Sequence, residues 1–189
     1  MTNFCKLIED GVALEKIGEH LDSLSEAQRI EEVRACGSKL QSKLWDAAEG
    51  ATVLAVDFVG EADKTVIYAG RNTLPAFSFF QKRFWRPSDG SDIVGYNHQS
   101  MSKFTGPGYF VTEDGDNGEL VFNYVKTASF QPPEWPTLKP NTGLIPSAVY
   151  GNMLDYNRRV SKDTVIGCAT KKGKAIGQFY LLTRARELE

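Results

Sequence analysis

The chain has 189 residues, of which 41% are hydrophobic and 24% charged, with a formal net charge of −2 at pH 7. That length suffices for one domain with a proper core, and the slightly acidic balance speaks against a general nucleic-acid or membrane-surface binder, which needs a concentrated positive field. The charge is uneven: residues 1–50 carry six Lys and Arg against ten Asp and Glu, and residues 151–189 carry eight against four.

Cys5, Cys36 and Cys168 are odd in number, far apart and in no C-x-x-C. Neither a disulfide framework nor a zinc site is expected from them, and two histidines, His20 and His98, are too few for a protein-only metal site. No apolar run approaches the ~18 residues that a membrane span needs. The start, MTNFCKLIEDG, is too acidic for a signal peptide. These features together lead to the expectation of a cytoplasmic location.

Residues 4–22 read as weakly helical, with Leu7, Ile8, Leu14, Ile17 and Leu21 at helical spacing. Ser25-Glu26-Ala27-Gln28 has the form of a capping box. Ile30, Val33, Leu40, Leu44 and Ala48 then mark one face, so a helix is expected over 26–48. Gly37 is its weak point, costing ~1 kcal/mol against alanine, and Gly50 its stop.

After Gly50 the pattern turns to β. Strands are expected at Thr52–Val59, Thr65–Ala69, Leu74–Trp85, Ile93–His98, Tyr109–Thr112, Leu120–Val125, Ser147–Val160, Thr164–Thr170 and Ile176–Thr183. Asn117-Gly118 and Lys171-Lys172-Gly173-Lys174 are hairpin turns, and a loop holding five of the eight prolines precedes the last three strands. About nine strands joined mostly by short turns imply an antiparallel meander, closed as a barrel or packed as a sandwich. Closure removes exposed edges and leaves room for a small ligand. The helices of residues 1–50 would cap one mouth or pack on the outer wall of a barrel formed by 51–186, within a single domain.

Four stretches carry chemistry. In GRNTLPAFSFFQKRFWR, Phe77, Phe79, Phe80, Phe84 and Trp85 are interleaved with Lys82, Arg83 and Arg86. The aromatics form core or pocket wall, and one basic residue, with Arg83 preferred, would meet a ligand carboxylate. In GYNHQSMSKFTGPGYF, His98 beside Tyr96 is a candidate general base. Ser100 and Ser102 there lack a nucleophile elbow. EDGDNGE has hairpin rather than calcium-loop spacing. The proline-rich loop around Trp135 reads either as a lid or protein contact with the Trp exposed, or as a rigid loop covering a sheet edge.

The fourth stretch is VYGNMLDYNRRVSKDTVIG. Period 2 places Val149, Met153, Asp155, Asn157 and Arg159 on one face, and Tyr150, Leu154, Tyr156, Arg158 and Val160 on the other. Asp155 and Arg159 are about 13 Å apart along an extended strand, so each needs a partner on another strand. Either this end of the strand emerges into solvent, or Asp155 and one arginine point into a cavity.

The same stretch, followed by QFYLLTR, resembles the C-terminal strands of bacterial calycin-like proteins, relatives in shape of lipocalins and fatty-acid-binding proteins. The likeness spans residues 149–184 and rests on Asp155, Arg158 and Val160 in one strand. It continues through Asp163, Thr164, Val165 and Gly167 to a final aromatic-rich strand, Phe179 to Arg184. The resemblance implies a barrel around a hydrophobic ligand.

The expected fold is therefore a mostly antiparallel meander β-barrel with an N-terminal α-helical segment. The expected function is binding of a small, largely apolar molecule, lipid-like or aromatic, with a carboxylate or carbonyl. Phe79, Tyr96, Asn123, Tyr124, Trp135, Tyr150, Arg83, Arg158 and Arg159 are its candidate contacts. A cofactor-independent enzyme (cyclase, isomerase or hydrolase) on the same cavity would use Asp155 or His98 for proton transfer, and a third reading is a protein-contact module at Trp135. No cofactor, metal or nucleic acid is expected, and the oligomeric state stays open, a dimer among the options.

Overall fold

The computed structural model describes residues 2–75, 77–99, 106–142 and 144–186. Eight antiparallel strands form a closed barrel in simple sequence order. They are β1 (Thr65–Asn72), β2 (Phe79–Trp85), β3 (Ile93–His98), β4 (Phe110–Asp114), β5 (Leu120–Asn123), β6 (Met153–Ser161), β7 (Thr164–Lys171) and β8 (Lys174–Ala185). The ring closes where β1 pairs with β8, from Ile67 opposite Ala185 to Asn72 opposite Tyr180. The β7–β8 turn rests on Lys172 and Gly173, both in the left-handed region that a two-residue hairpin requires.

Among the described residues six helices accompany the barrel: α1 (Asn3–Glu9), α2 (Leu14–Asp22), α3 (Glu26–Ala35), α4 (Ser38–Ala47), α5 (Ala55–Val59) and α6 (Leu144–Tyr150). The first four cover the outer wall. Phe4, Ile8, Ile17, Leu21, Val33 and Leu44 pack with Val160, Ile166 and Leu181, the outward-facing side chains of β6, β7 and β8. Polar latches fix this layer. Arg29 of α3 donates to Thr183 Oγ1 at 2.8 Å and to the Arg184 carbonyl at 3.1 Å. The Arg158 guanidinium lies 3.8 Å from the Trp45 ring centre and pairs with Glu119 at 2.6 Å.

The capping box is present: Ser25 accepts from the Gln28 N–H and the Gln28 side chain accepts from the Ser25 N–H. Several elements depart from the sequence expectation. The helix expected over 26–48 is two helices, broken at Cys36 and Gly37, whose backbones are extended. Wholly buried Gln41 satisfies the Cys36 carbonyl left free by the break. Residues 4–22 likewise form two helices.

Thr52–Val59, β-branched and expected as a strand, instead ends in α5. Tertiary packing overrides β-propensity here: a helical turn carries Phe58 and Val59 into the barrel's core. Residues 147–150, expected as strand, belong to α6. The chain resets at Asn152, in the left-handed region, before β6 begins. Among the described residues eight strands therefore stand where nine are expected.

Glycines shape the interior. On neighbouring strands Phe84, Gly95 and Phe110 lie side by side in register, as do Phe80, Gly70 and Leu182, and Asn157, Gly167 and Tyr180. A Cβ on Gly70 would come within 2.7 Å of the Phe80 ring, and one on Gly167 would enter the Tyr180 ring. Each glycine thus yields its volume to an aromatic neighbour. One end of the lumen is filled by Phe58, stacked on Tyr68 at 4.2 Å, with Phe84 edge-on at 5.2 Å. The other end holds polar groups and a cavity.

Candidate functional site

Strand alternation sends Phe80, Lys82 and Phe84 of β2 inward and Gln81, Arg83 and Trp85 outward. Asp155 of β6 points inward from the opposite side of the eight-stranded ring, and Lys82 crosses the lumen to meet it. The Lys82 Nζ lies 3.4 Å from Asp155 Oδ2, with side-chain exposures of 3% and 5%. The same ammonium donates to Asn97 Oδ1 at 2.8 Å and to the Tyr124 hydroxyl. Asn97 is the cross-strand neighbour of Lys82, and its amide donates to the Gly108 carbonyl at 3.1 Å, which turns its oxygen towards Lys82.

Two further buried polar groups extend the cluster. Tyr180 donates to Asn157 Oδ1 at 2.7 Å, reaching across Gly167. The Asn157 amide is fixed by the Leu120 carbonyl at 3.0 Å. By contrast, Asp155 Oδ1 has no hydrogen-bond partner among the described residues.

Burial sets the ionisation of this group. It pulls the Lys82 ammonium down to about 8, against the raising effect of the Asp155 charge. Burial likewise holds the Asp155 carboxyl above the usual carboxylate range, with the Lys82 charge pulling the other way. Tyr124 and Tyr180 sit well above the usual phenol range, through burial first and the neighbouring Asp155 charge second. Neither member of the ion pair is comfortable alone, because isolated buried charges cost several kcal/mol each.

Five aromatic rings surround the Lys82 nitrogen. Their centres lie 4.8 Å (Phe110), 5.1 Å (Tyr124), 5.1 Å (Tyr180), 5.2 Å (Phe122) and 5.8 Å (Phe80) away. Such rings stabilise a cation without hydrogen bonds. A cavity of about 150 Å³ reaches this cluster; Lys82, Asn97, Asp155, Tyr124 and Tyr180 line it together with Phe80 and Ala169. Asn72, Thr73, Leu74, Val149, Tyr150, Met153, Gln178 and Phe179 complete its lining. Tyr150 of α6 stacks on Tyr124 with ring centres 5.3 Å apart and planes 10° from parallel.

The structure gathers some of the residues singled out in the sequence and disperses others. Asp155, Tyr124 and Tyr150 line the cavity. Arg158 lies on the outer wall against Trp45, and Arg159 donates to the Lys162 carbonyl at the far end of β6. Arg83 also faces outward and contacts Gln81. His98 is exposed at the end of β3, 3.5 Å from the Tyr96 hydroxyl. Asn123 closes a turn, accepting from Val125 N and Lys126 N, and Phe79 is 55% exposed beside Arg34 and Arg71.

Trp135 is not the exposed lid its proline-rich setting suggests. It is 5% exposed and packs with Tyr96 and Tyr109 on the outer face of β3 and β4. Its indole N–H donates to Thr65 Oγ1 at 3.0 Å. Ser100 and Ser102 lie outside the described residues.

The cationic partner of Asp155 is Lys82, not an arginine of its own strand. The sequence holds a signal for this: Phe80, Lys82 and Phe84 alternate on one face of an aromatic strand. A lysine between two inward phenylalanines has to be inward itself. Asn97, Asn157 and Tyr180 follow only once strand register is known. Comparison with protein-family models, with curated proteins and with solved structures gave no match to this chain.

Proposed function

We propose that the protein binds a small, largely apolar molecule inside the barrel, its polar head against Lys82 and its body between aromatic rings. The observation that carries this reading is a cavity of about 150 Å³ ending on a buried Lys82–Asp155 pair. A core built for stability alone gains nothing from such a pair, since apolar replacements of similar volume do as well or better. The resemblance of residues 149–184 to calycin-like barrels supports the same reading.

Size and charge narrow the ligand. A volume of about 150 Å³ is what holds one benzene ring, so a ring or a short chain fits and a long-chain fatty acid exceeds it. The Lys82–Asp155 pair is already neutral as a unit. Adding a carboxylate would bury a second anion beside Asp155, whereas a neutral carbonyl only accepts a hydrogen bond. The favoured head group is therefore a carbonyl.

Native mass spectrometry of freshly purified protein, followed by denaturation and identification of what is released, gives the chemical class directly. In parallel, acetophenone should raise the melting temperature saturably, since a ligand at 100 times its Kd adds about 2.7 kcal/mol. Benzoate should act more weakly at pH 7.5, and hexadecanoate not at all. A clean native mass together with no shift from any ring-sized probe would overturn the proposal.

A further inference from the structure

We infer that Lys82 is a nucleophile, and that the barrel captures aldehydes as an imine on its Nζ. This deepens the reading of the cavity as a ligand site and rests on it. A lysine ammonium has three protons to donate. Here they face Asn97 Oδ1 at 2.8 Å, the Tyr124 hydroxyl, and Asp155 Oδ2 at 3.4 Å. The contact to Asp155 is the long one, and Asp155 is also the only base of the three. Loss of that proton leaves both remaining N–H groups bonded to Asn97 and Tyr124. The freed lone pair then lies on the Asp155 side, among residues that line the cavity.

The chemistry balances without any further reactant. The Nζ lone pair attacks the carbonyl carbon, forming a C–N bond as the C=O π pair moves to oxygen. The proton taken up by Asp155 passes to that oxygen, and the nitrogen, now bonded to four groups, gives one of its two protons back to Asp155, leaving a neutral carbinolamine. The nitrogen lone pair then expels the hydroxyl, which leaves as water with a proton supplied from Asp155. Amine and aldehyde thus become imine and water, with no change of oxidation state. Asp155 suits both transfers: its Oδ1 has no partner among the described residues, and its carboxyl is raised towards neutrality by burial.

The surroundings favour the product as well. A protonated imine is a cation, and the five rings within 6 Å of Nζ meet it as they meet the ammonium. The titratable groups facing Lys82 are Asp155 of β6, Tyr124 after β5 and Tyr180 of β8, with Tyr150 of α6 behind Tyr124. Both facing tyrosines stay protonated in the working range, so the Lys82–Asp155 pair governs the pH response. Reactivity should rise as pH approaches 8, whereas an exposed lysine gains its free amine near 10.4.

The test is benzaldehyde with cyanoborohydride on the full chain at pH 7.5, read by intact mass and peptide mapping. The expected first product carries one benzyl group on Lys82, at least tenfold ahead of any other lysine. Asp155→Asn should slow this labelling by about 10²-fold, the scale of general acid–base catalysis. Even labelling across the lysines overturns the inference, as does unlabelled Lys82. If acetophenone still binds in that case, the imine fails and the binding site stands; if neither binds, both fail. Because the mapping is done on the unaltered protein, no variant needs to fold for the result to count.

Discussion

At the scale of single residues, the Lys82–Asp155 pair makes a sharp prediction about stability. Replacing Lys82 by Met leaves Asp155 buried with no ion-pair partner among the described residues. Breaking a buried pair in this way costs about 3–5 kcal/mol, and guanidinium unfolding at pH 7.5 should show a loss of that order. The sign of its pH dependence follows from proton linkage. The folded Asp155 carboxyl already titrates above its unfolded value, and losing the neighbouring cation raises it further. Between about pH 3.9 and that folded value, the native state holds a proton that the unfolded state has released. The variant's stability therefore declines as pH rises through the window. Its deficit against the parent protein should be smaller at pH 4.5 than at pH 7.5. Lys82→Met combined with Asp155→Leu removes both charges and should recover at least half of the loss. An equal deficit at both pH values, or no recovery in the double variant, would show that Asp155 is not a buried carboxylate relying on Lys82.

That pair also shows what the chain alone reveals at this scale. The inward face of β6 follows from alternation, and Asp155 was identifiable as needing a partner on another strand. Arg158 and Arg159 are the cations nearest to it in sequence. Arg158 falls on the opposite face and Arg159, on the same face, stands about 13 Å further along the strand, so the partner comes from across the lumen. Seventy-three residues separate Lys82 from Asp155, and only ring closure brings them together.

At the scale of elements, local rules succeed where a residue's own neighbours decide. The capping box of α3 and the Lys172-Gly173 hairpin both follow from sequence. They fail at α5 and α6, whose conformations are decided by what they cover. Helix α2 is a place to set the two kinds of rule against each other. Gly18 lies within it, and helix propensity alone says that alanine should stabilise by about 1 kcal/mol. Yet a Cβ there would stand 2.6 Å from the Val160 carbonyl oxygen of β6. The helix can approach the barrel this closely only because the side chain is absent. Gly18→Ala should therefore destabilise by about 1–3 kcal/mol, the scale of overpacking, as measured by urea unfolding. A more stable variant would mean that α2 rides further from the barrel wall.

At the scale of the whole molecule, the barrel wall divides the aromatic residues into two populations that share strands but not surroundings. Phe80, Phe110, Phe122, Tyr124 and Tyr180 ring Lys82 inside. Tyr96, Tyr109 and Trp135 form a cluster outside. If ligand enters the lumen, the two populations must respond differently to substitution. Trp135→Phe loses the indole bond to Thr65 and some packing, about 1–2 kcal/mol. For a chain of this size that lowers the melting temperature by about 2–8 °C, while acetophenone affinity should stay within about twofold. Tyr150→Ala removes the ring stacked on Tyr124 in the cavity lining. An aromatic pair is worth about 0.5–1.5 kcal/mol beyond the area it buries, so affinity should fall by about two- to tenfold. Calorimetric titration of both variants separates the outcomes. The opposite ranking, with Trp135 controlling affinity and Tyr150 indifferent, would move the ligand to the outer wall and leave the Lys82 cluster as a purely internal polar network.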